Sequence, residues 1–126
     1  MRLVLIVAAG VLLAGANASA QGDPVRGKVA FQKCYACHSV EPGERGLAAP
    51  NLRGVVGRPV AGVPGFAYSA ALRSLKRREP VWTAELIDRY VADSESVAPG
   101  TTMPFLGMTN ARERADLIAY LRATGS

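Results

Sequence analysis

The sequence predicts an all-α domain with long irregular loops. Apolar residues recur at three- and four-residue intervals in several segments, which is the period of a helix, and no segment alternates convincingly with the two-residue period of a strand. Residue types that cap helices precede these segments, whereas glycine and proline are concentrated between them. A chain of 126 residues has room for one domain.

Residues 1–20 are predicted to be a cleaved secretory signal. Arg2 gives a basic start, residues 3–16 carry no charge, and Ala18-Ser19-Ala20 has the small-x-small pattern that a signal peptidase cleaves. The apolar run is shorter than the roughly 20 residues of a membrane span, so a retained N-terminal anchor is the less favoured alternative. We therefore expect residues 21–126 to form a periplasmic or otherwise secreted domain without stable membrane insertion.

The first two helical segments flank a long loop. Asp23-Pro24 begins the first helix, which continues to Cys34, because aspartate caps a helix and proline fits its first turn. Residues 39–65 are rich in glycine and proline and show no sustained period, which is typical of a loop wrapped around a functional site. A short helix is predicted from Ser69 to Ser74, and a basic turn follows at Lys76-Arg77-Arg78.

Two further helices are predicted in the last third of the chain. Thr83 caps the first of them, and Asn110 caps the last, with Glu113 in the capping-box position. Residues 93–107 between them are predicted to be irregular. The apolar faces of the two helices are formed by Leu86, Ile87, Tyr90 and Val91, and by Leu117, Ile118, Tyr120 and Leu121.

The charge balance limits the classes of partner. Removing residues 1–20 lowers the formal net charge from +5 to +4, because Arg2 is the only charged residue among them. This modest basic excess suits a protein partner with an acidic docking face. No aromatic stacking platform accompanies the basic residues, so we expect no nucleic-acid partner.

Cys34-Tyr35-Ala36-Cys37-His38 is the most informative segment. It has the C-x-x-C-H spacing at which c-type haem is attached. Cysteines three residues apart lie on one side of a helical turn, where both sulfurs can bond to the vinyl groups of one porphyrin, and His38 then becomes the proximal ligand of the iron. Burying about 500 Å² of porphyrin would contribute on the order of 10 kcal/mol to folding before opposing terms.

Three other readings of the two cysteines are weaker. A disulfide between Cys34 and Cys37 suits a secreted protein, but it gives no role to His38. A thioredoxin-like redox pair needs a βαβ context that the pattern does not predict. A zinc site needs further ligands that the sequence does not supply, since no other cysteine or histidine is present.

The amino-acid composition limits which residue can be the second axial ligand of the iron. With His38 as the only histidine, a second histidine from the same chain is excluded, and a thioether is the usual alternative in cytochromes. Met1 leaves with the signal segment, so Met103 and Met108 remain. Met103 lies in a rigid Pro-rich segment and is favoured, whereas Met108 suits the core-filling role that is usual for methionine.

The sequence resembles the class I cytochromes c, from Gly22 to the last helix. Besides the haem motif, the resemblance rests on segments that follow in the family's order, with the family's proximal loop at Gly46–Phe66. These segments are Pro50-Asn51-Leu52-Arg53-Gly54, Gly57-Arg58, Gly65-Phe66-Ala67-Tyr68, Trp82, Tyr90, Pro99-Gly100-Thr101-Thr102-Met103 and Asp116-Leu117-Ile118-Ala119-Tyr120-Leu121.

The resemblance implies roles for residues around the haem. Met103 would be the second iron ligand, and the Pro50 carbonyl would accept the ring N–H of His38. The resemblance further implies that Tyr68 and Trp82 donate to a haem propionate, with Arg58 nearby as a countercharge. Tyr90 and Thr101 would lie on the methionine side.

This chain departs from the family at the docking charges. The family usually has lysine before the ligand methionine, where this chain has Thr102. Lys28 and Lys33 remain near the haem motif. The denser basic cluster, interpreted as a solvated turn, consists of Arg73, Lys76, Arg77 and Arg78.

The resulting prediction is a small cytochrome c fold, with three main helices, short additional ones and long loops around one covalent haem. Its function is one-electron transfer between redox protein partners, without enzymatic turnover and as a monomer. The alternatives are a ligand-binding haem protein, in which Met103 would dissociate readily, and an assembly subunit with a purely structural haem.

Overall fold

The structure is a computed structural model that describes residues 21–45 and 47–125. The predicted signal segment, residues 1–20, lies outside the described residues, as do Gly46 and Ser126. Within the described part, no helix is long and apolar enough to cross a membrane.

Five helices account for the regular structure of the described residues. A 3-10 turn, Phe31–Lys33, continues the first helix, and one isolated β-bridge pairs Pro59 with Val81. The all-α prediction is confirmed. The helices are α1 (Pro24–Ala30), α2 (Ala70–Arg78), α3 (Ala84–Ala92), α4 (Ser94–Val97) and α5 (Ala111–Thr124).

Side-chain caps begin the helices where the sequence predicts them. The Asp23 carboxylate accepts hydrogen bonds from the second and third amides of α1, the Thr83 hydroxyl caps α3, and Asn110 Oδ1 accepts from two amides of α5. The Glu113 carboxylate accepts from Lys33 Nζ at 2.5 Å and so links the start of α5 to the haem motif. The capping side chains of Asp23, Thr83 and Asn110 pair backbone N–H groups that would otherwise lack partners, and so they fix where each of these helices starts.

Two local predictions were wrong. The predicted basic turn at Lys76-Arg77-Arg78 is the last turn of α2, which continues to Arg78 instead of ending at Ser74. Lysine and arginine favour helices and interact well with a helix C-terminus, and Pro80 then prevents continuation. Within the segment predicted to be irregular, residues 93–107, Asp93 caps the short helix α4.

The contact between α1 and α5 depends on a glycine. A Cβ atom on Gly27 would lie 1.9 Å from the Asp116 carbonyl oxygen, so only glycine permits this approach of the two backbones. The Phe31 ring then packs on Tyr120, with 5.5 Å between ring centroids. Val25 and Val29 face away and are 76% and 71% exposed.

The same contact carries a buried carboxylate. Asp116 is 4% exposed. Its oxygens accept from Asp23 N at 2.6 Å and from Arg26 Nε and Nη2 at 2.7 and 2.9 Å. The hydrogen bond from Arg26 is the main reason why the pKa of Asp116 lies below its ordinary value. The N-terminus of α1 is therefore fixed to α5 by an ionised group.

The apolar core has two parts. The first lies around α1 and α5 and includes Phe31, Ile87, Met108, Leu117 and Leu121, all nearly inaccessible to solvent. The second lies between α2 and α3 and consists of Val60, Leu72, Leu75, Leu86, Tyr90 and Ala98. Trp82 packs against both parts.

Replacing Gly27 with alanine tests whether helix propensity or the packing against α5 has the larger effect on stability. Propensity alone predicts a gain of about 1 kcal/mol in the free energy of unfolding. Because the new Cβ would overlap the backbone of α5, we expect instead a loss of about 2 kcal/mol, measured by guanidinium denaturation. Lys28→Ala, at the exposed neighbouring position, should change the free energy by less than about 0.5 kcal/mol. A stabilised Gly27→Ala protein would contradict the close contact.

Replacing Asp116 with asparagine tests the ionised contact. The folded state lowers the pKa of this carboxyl, so its ionisation stabilises the protein above the ordinary pKa of about 3.9. That stabilisation is lost as the pH falls through the lowered pKa. We expect Asp116→Asn to be less stable than the native protein at pH 7, with the difference shrinking below about pH 4 in pH-dependent urea melts. Glu85→Gln, on the exposed side of α3, is the control for removing one negative charge, and a pH-independent difference for Asp116→Asn would contradict the role of its charge.

Candidate haem-binding site

A cavity of about 400 Å³ lies between the two parts of the core. Buried apolar residues of both parts line it, among them Leu72, Ile87 and Leu117. All ten residues that the sequence analysis assigned to the site line this one cavity, although they come from separate segments of the chain. They are Cys34, Cys37, His38, Pro50, Arg58, Tyr68, Trp82, Tyr90, Thr101 and Met103.

The haem motif forms a tight turn directly after the 3-10 turn that continues α1. Cys37 N and His38 N both donate to Cys34 O, at 3.1 and 2.9 Å, which places both cysteines and the histidine at the cavity. Cys34 and Cys37 form no disulfide with each other; Cys34 is half-buried and Cys37 is exposed. Burial raises the pKa of the Cys34 thiol to about 11.

His38 is held in one orientation by the long loop. Its Nδ1 lies 2.6 Å from the Pro50 carbonyl oxygen, so Nδ1 carries the hydrogen and Nε2 is left to bind a metal. Burial is the main cause of a lowered His38 pKa, and the Arg58 charge adds to it, whereas the Pro50 hydrogen bond opposes it. The imidazole is therefore neutral at pH 7, as metal ligation requires.

A polar network fixes the loop segment that carries Pro50. Asn51 Nδ2 donates to the carbonyls of Glu41 and Glu44, at 2.7 and 3.2 Å, and Asn51 Oδ1 accepts from Arg53 N. The buried Ser39 hydroxyl donates to the Glu44 carboxylate, and Ser39 O accepts from Leu52 N at 2.8 Å. The Pro50 carbonyl is thus positioned by its neighbours, a network that the sequence analysis missed because short polar residues in a loop give no periodic signal.

Arg58 and Trp82 are brought together by backbone pairing. Trp82 N donates to Arg58 O at 2.9 Å, and Gly57 N donates to Trp82 O at 2.8 Å. Arg58 Nη1 donates to Asn51 O at 2.8 Å, whereas Arg58 Nε is buried and has no hydrogen-bond partner among the described residues. Burial lowers the Arg58 pKa, but a guanidinium stays charged, so a buried N–H of a cation is available to an anion in the cavity.

Tyr68 presents a hydroxyl beside this cation. Val63 N donates to Tyr68 Oη at 3.0 Å, so the hydroxyl hydrogen remains available to another acceptor. The Phe66 ring packs edge-on against Tyr68, with 4.9 Å between centroids. Phe66 also lines the cavity, as does Phe105; neither was assigned to the site from sequence, although each is an aromatic residue two positions from an assigned one.

A second hydrogen-bonded group lies at Thr101. The Tyr90 hydroxyl is 2.8 Å from Thr101 Oγ1, which also accepts from Met103 N at 3.4 Å. Burial raises the Tyr90 pKa, so Tyr90 remains a neutral phenol. The Trp82 ring packs on Tyr90 at 5.2 Å between centroids. These contacts restrict the segment that carries Met103.

The two candidate methionines have different surroundings. Met103 lines the cavity and is partly buried. Met108 is 2% exposed, belongs to the core around α1 and α5, and does not line the cavity. Its backbone is fixed as well, because Met108 N donates to Val91 O at 2.8 Å.

The chemistry of the cavity fits a haem. Apolar walls suit a porphyrin, two cysteines at C-x-x-C spacing suit two thioether bonds, and neutral His38 suits iron. The buried Arg58 Nε without a partner fits a negatively charged propionate. Fold and site together define a c-type haem protein.

Comparison with known proteins gives the family. The sequence profile of the cytochrome c family matches residues 24–125. Cytochrome c2 of Rhodomicrobium vannielii is 38% identical over 122 residues, which cover 96% of this chain and 95% of that protein. The solved structure of cytochrome c2 from Rhodospirillum centenum covers 83% of this chain and 100% of its own, with 34% identity and a TM-score of 0.77. Cytochrome cH from Methylobacterium extorquens gives a TM-score of 0.73 at 36% identity, with 81% of this chain and 99% of that chain covered.

The chain belongs to the cytochrome c family. Its cofactor is covalent haem c at Cys34 and Cys37, and its function is single-haem electron transfer, not enzymatic turnover. The predicted family, fold class, covalent haem and single-haem electron transfer are confirmed.

Replacing both cysteines tests how far folding depends on the cofactor. Cys34→Ala with Cys37→Ala removes both attachment points, and the two parts of the core then share a cavity of about 400 Å³ with no covalent occupant. We expect this variant to be largely disordered, with little helical circular dichroism and no cooperative thermal transition, because a small domain loses much of its buried apolar area. A cooperative melt near that of the native protein would contradict this dependence.

Proposed function

We propose that this chain is a soluble periplasmic carrier that passes single electrons between protein partners, with His38 and Met103 as the two iron ligands. The observation that carries the proposal is the placement of both residues at one cavity while Met108 is buried in the core. We further propose that it acts as a monomer and that its partners present acidic docking faces.

Haem c, when bound, supplies an Fe(II)/Fe(III) couple, and a thioether ligand favours a positive potential. His38 is oriented by the Pro50 carbonyl, and Met103 N is tied to Thr101 Oγ1. Ligands that these contacts hold in place in both oxidation states would keep the reorganisation on electron transfer small. The cavity walls are mainly apolar, and this low polarity disfavours the additional charge of Fe(III).

A ligand-binding haem protein is the main alternative. It would need Met103 to leave the iron easily and open a coordination position. The hydrogen bonds of Thr101 to both Tyr90 and Met103, and the following Pro104, restrict the segment and favour permanent ligation. The electron carrier is therefore the better-supported function.

The visible spectrum of the haem-loaded protein tests the ligand assignment. We expect low-spin bands in both oxidation states, a far-red sulfur-to-Fe(III) band, and no change when the reduced protein is exposed to carbon monoxide. Met103→Leu should abolish the far-red band and allow carbon monoxide binding, because leucine has no sulfur to bind iron.

Met108→Leu is the matched control, since it removes a thioether from the buried core with little change in volume. It should retain the far-red band. A native protein that is high-spin and binds carbon monoxide would overturn the proposal in favour of a ligand-binding haem protein. Loss of the far-red band only in Met108→Leu would move the ligand assignment to Met108.

A further inference from the structure

The positive charge of this protein is concentrated on one helix. Residues 21–126 carry four more basic than acidic side chains, and α2 alone contains four basic and no acidic ones. The rest of residues 21–126 is therefore balanced, with ten basic and ten acidic side chains. We call the four exposed cations of α2 the α2 basic face; they are Arg73, Lys76, Arg77 and Arg78.

None of these four cations forms an ion pair with a described residue. Arg73 donates to Tyr68 O, and Arg78 donates to Val97 O at 3.2 Å and to Ser74 Oγ at 3.3 Å, all uncharged acceptors. The nearest acid along the chain, Glu79, is already paired with Arg89. The charges of the α2 basic face are therefore not neutralised within the described part of the protein.

The surface around the cavity is different. Six exposed residues line the cavity, and we call them the cavity rim. Only one of them is charged, and that residue, Lys33, is paired with Glu113 at 2.5 Å. The rim consists of Lys33, Ala36, Cys37, Ala48, Thr102 and Pro104. It therefore presents little net field to an approaching partner.

The helix dipole accounts for only part of the α2 basic face. Lys76, Arg77 and Arg78 lie in the last turn of the helix, where cations are favourable. Arg73 lies near the other end, and it repels Arg77 because residues four apart are neighbours on a helix. This arrangement opposes helix stability and favours an external anionic partner instead.

The α2 basic face is also close to the haem site. Ser69, which caps α2, and the buried Leu72 both line the cavity. A partner on the solvent side of α2 is thus separated from the cavity by about one helix diameter, roughly 10 Å. Buried Leu75 fixes the helix to the core, so the charges are presented on a rigid element.

We propose that the α2 basic face, and not the cavity rim, is the surface that attracts and docks the acidic face of a redox protein partner. The inference rests on the proposed function and specifies the docking surface for it. Four unpaired charges on one helix would accelerate association at low ionic strength and lose this effect as salt is added.

Nuclear magnetic resonance with an acidic probe tests this surface. The haem-loaded, reduced, 15N-labelled protein is titrated with poly-L-glutamate at low ionic strength. We expect amide shifts concentrated at residues 70–78 and an affinity that falls with added salt. Shifts concentrated at residues 33–37 and 102–105 would overturn the proposal in favour of the cavity rim.

Two double variants with the same loss of charge provide the control. Lys76→Gln with Arg77→Gln should weaken binding about tenfold, because half of the α2 basic face is removed. Arg45→Gln with Arg112→Gln removes two exposed cations elsewhere and should change the affinity less than twofold. Equal weakening by both would show that net charge alone determines binding, and would overturn the proposal.

Vesicles of phosphatidylglycerol distinguish a membrane surface from a protein partner. Loss of α2 signals with vesicles, without shifts from poly-L-glutamate, would overturn the proposal in favour of an anionic membrane. The visible spectrum and reversible redox titration of each variant test the proposed function separately. Unchanged spectra with no binding at α2 would refute the docking surface alone, whereas an abnormal spectrum in the native protein would refute the carrier.

Discussion

The central constraint on this protein is that a cavity lies between its two groups of buried apolar residues, where a continuous core would have direct packing. Leu117 and Leu121 of α5 line one side of the cavity, while Leu72 of α2 and Tyr90 of α3 line the other. Trp82 is the residue that packs against both groups. In a domain of this size, a core divided in this way needs a large apolar occupant. Covalent haem satisfies that need, so the cofactor contributes to the fold as well as to the redox chemistry.

The loops around the cavity are ordered by their own polar contacts. The segment with Pro50 is held by Asn51, and the segment with Arg58 is paired along its backbone to Trp82. The segment with Met103 is tied through Thr101 to Tyr90. Pro50, Arg58 and Met103 thus come from irregular backbone that has a defined anchor. Irregular backbone can direct side chains at angles that a helix does not permit, which explains why so much of this small chain is loop.

Much of the fold could be predicted because its signals are local. Asp23, Thr83 and Asn110 mark helix starts through their own side-chain chemistry, and the Cys34–His38 spacing requires no tertiary information. The C-terminal end of α2 could not be predicted, because a run of basic residues is compatible both with a helix and with a turn. The network of Ser39, Glu44 and Asn51 was also inaccessible, because its partners meet only when the loop has folded. Likewise, spacing alone favoured Met103 without excluding Met108; only the folded chain shows that Met103 lines the cavity whereas Met108 is buried in the core.

Whether the cations of a helix are paired is related to how that helix is held in place. Three of the cations on or near α1 and α5 form ion pairs: Arg26 with Asp116, Lys33 with Glu113 and Arg114 with Asp88. These pairs fix the helices that position the haem motif, but they also remove net charge from that side of the molecule. The α2 basic face keeps its charge because its helix is fixed by Leu72 and Leu75 and needs no ion pair to stay in place. Because apolar contacts hold α2 in place, its charges remain available for recognition. The ion pairs at α1 and α5, in contrast, neutralise the charges that form them.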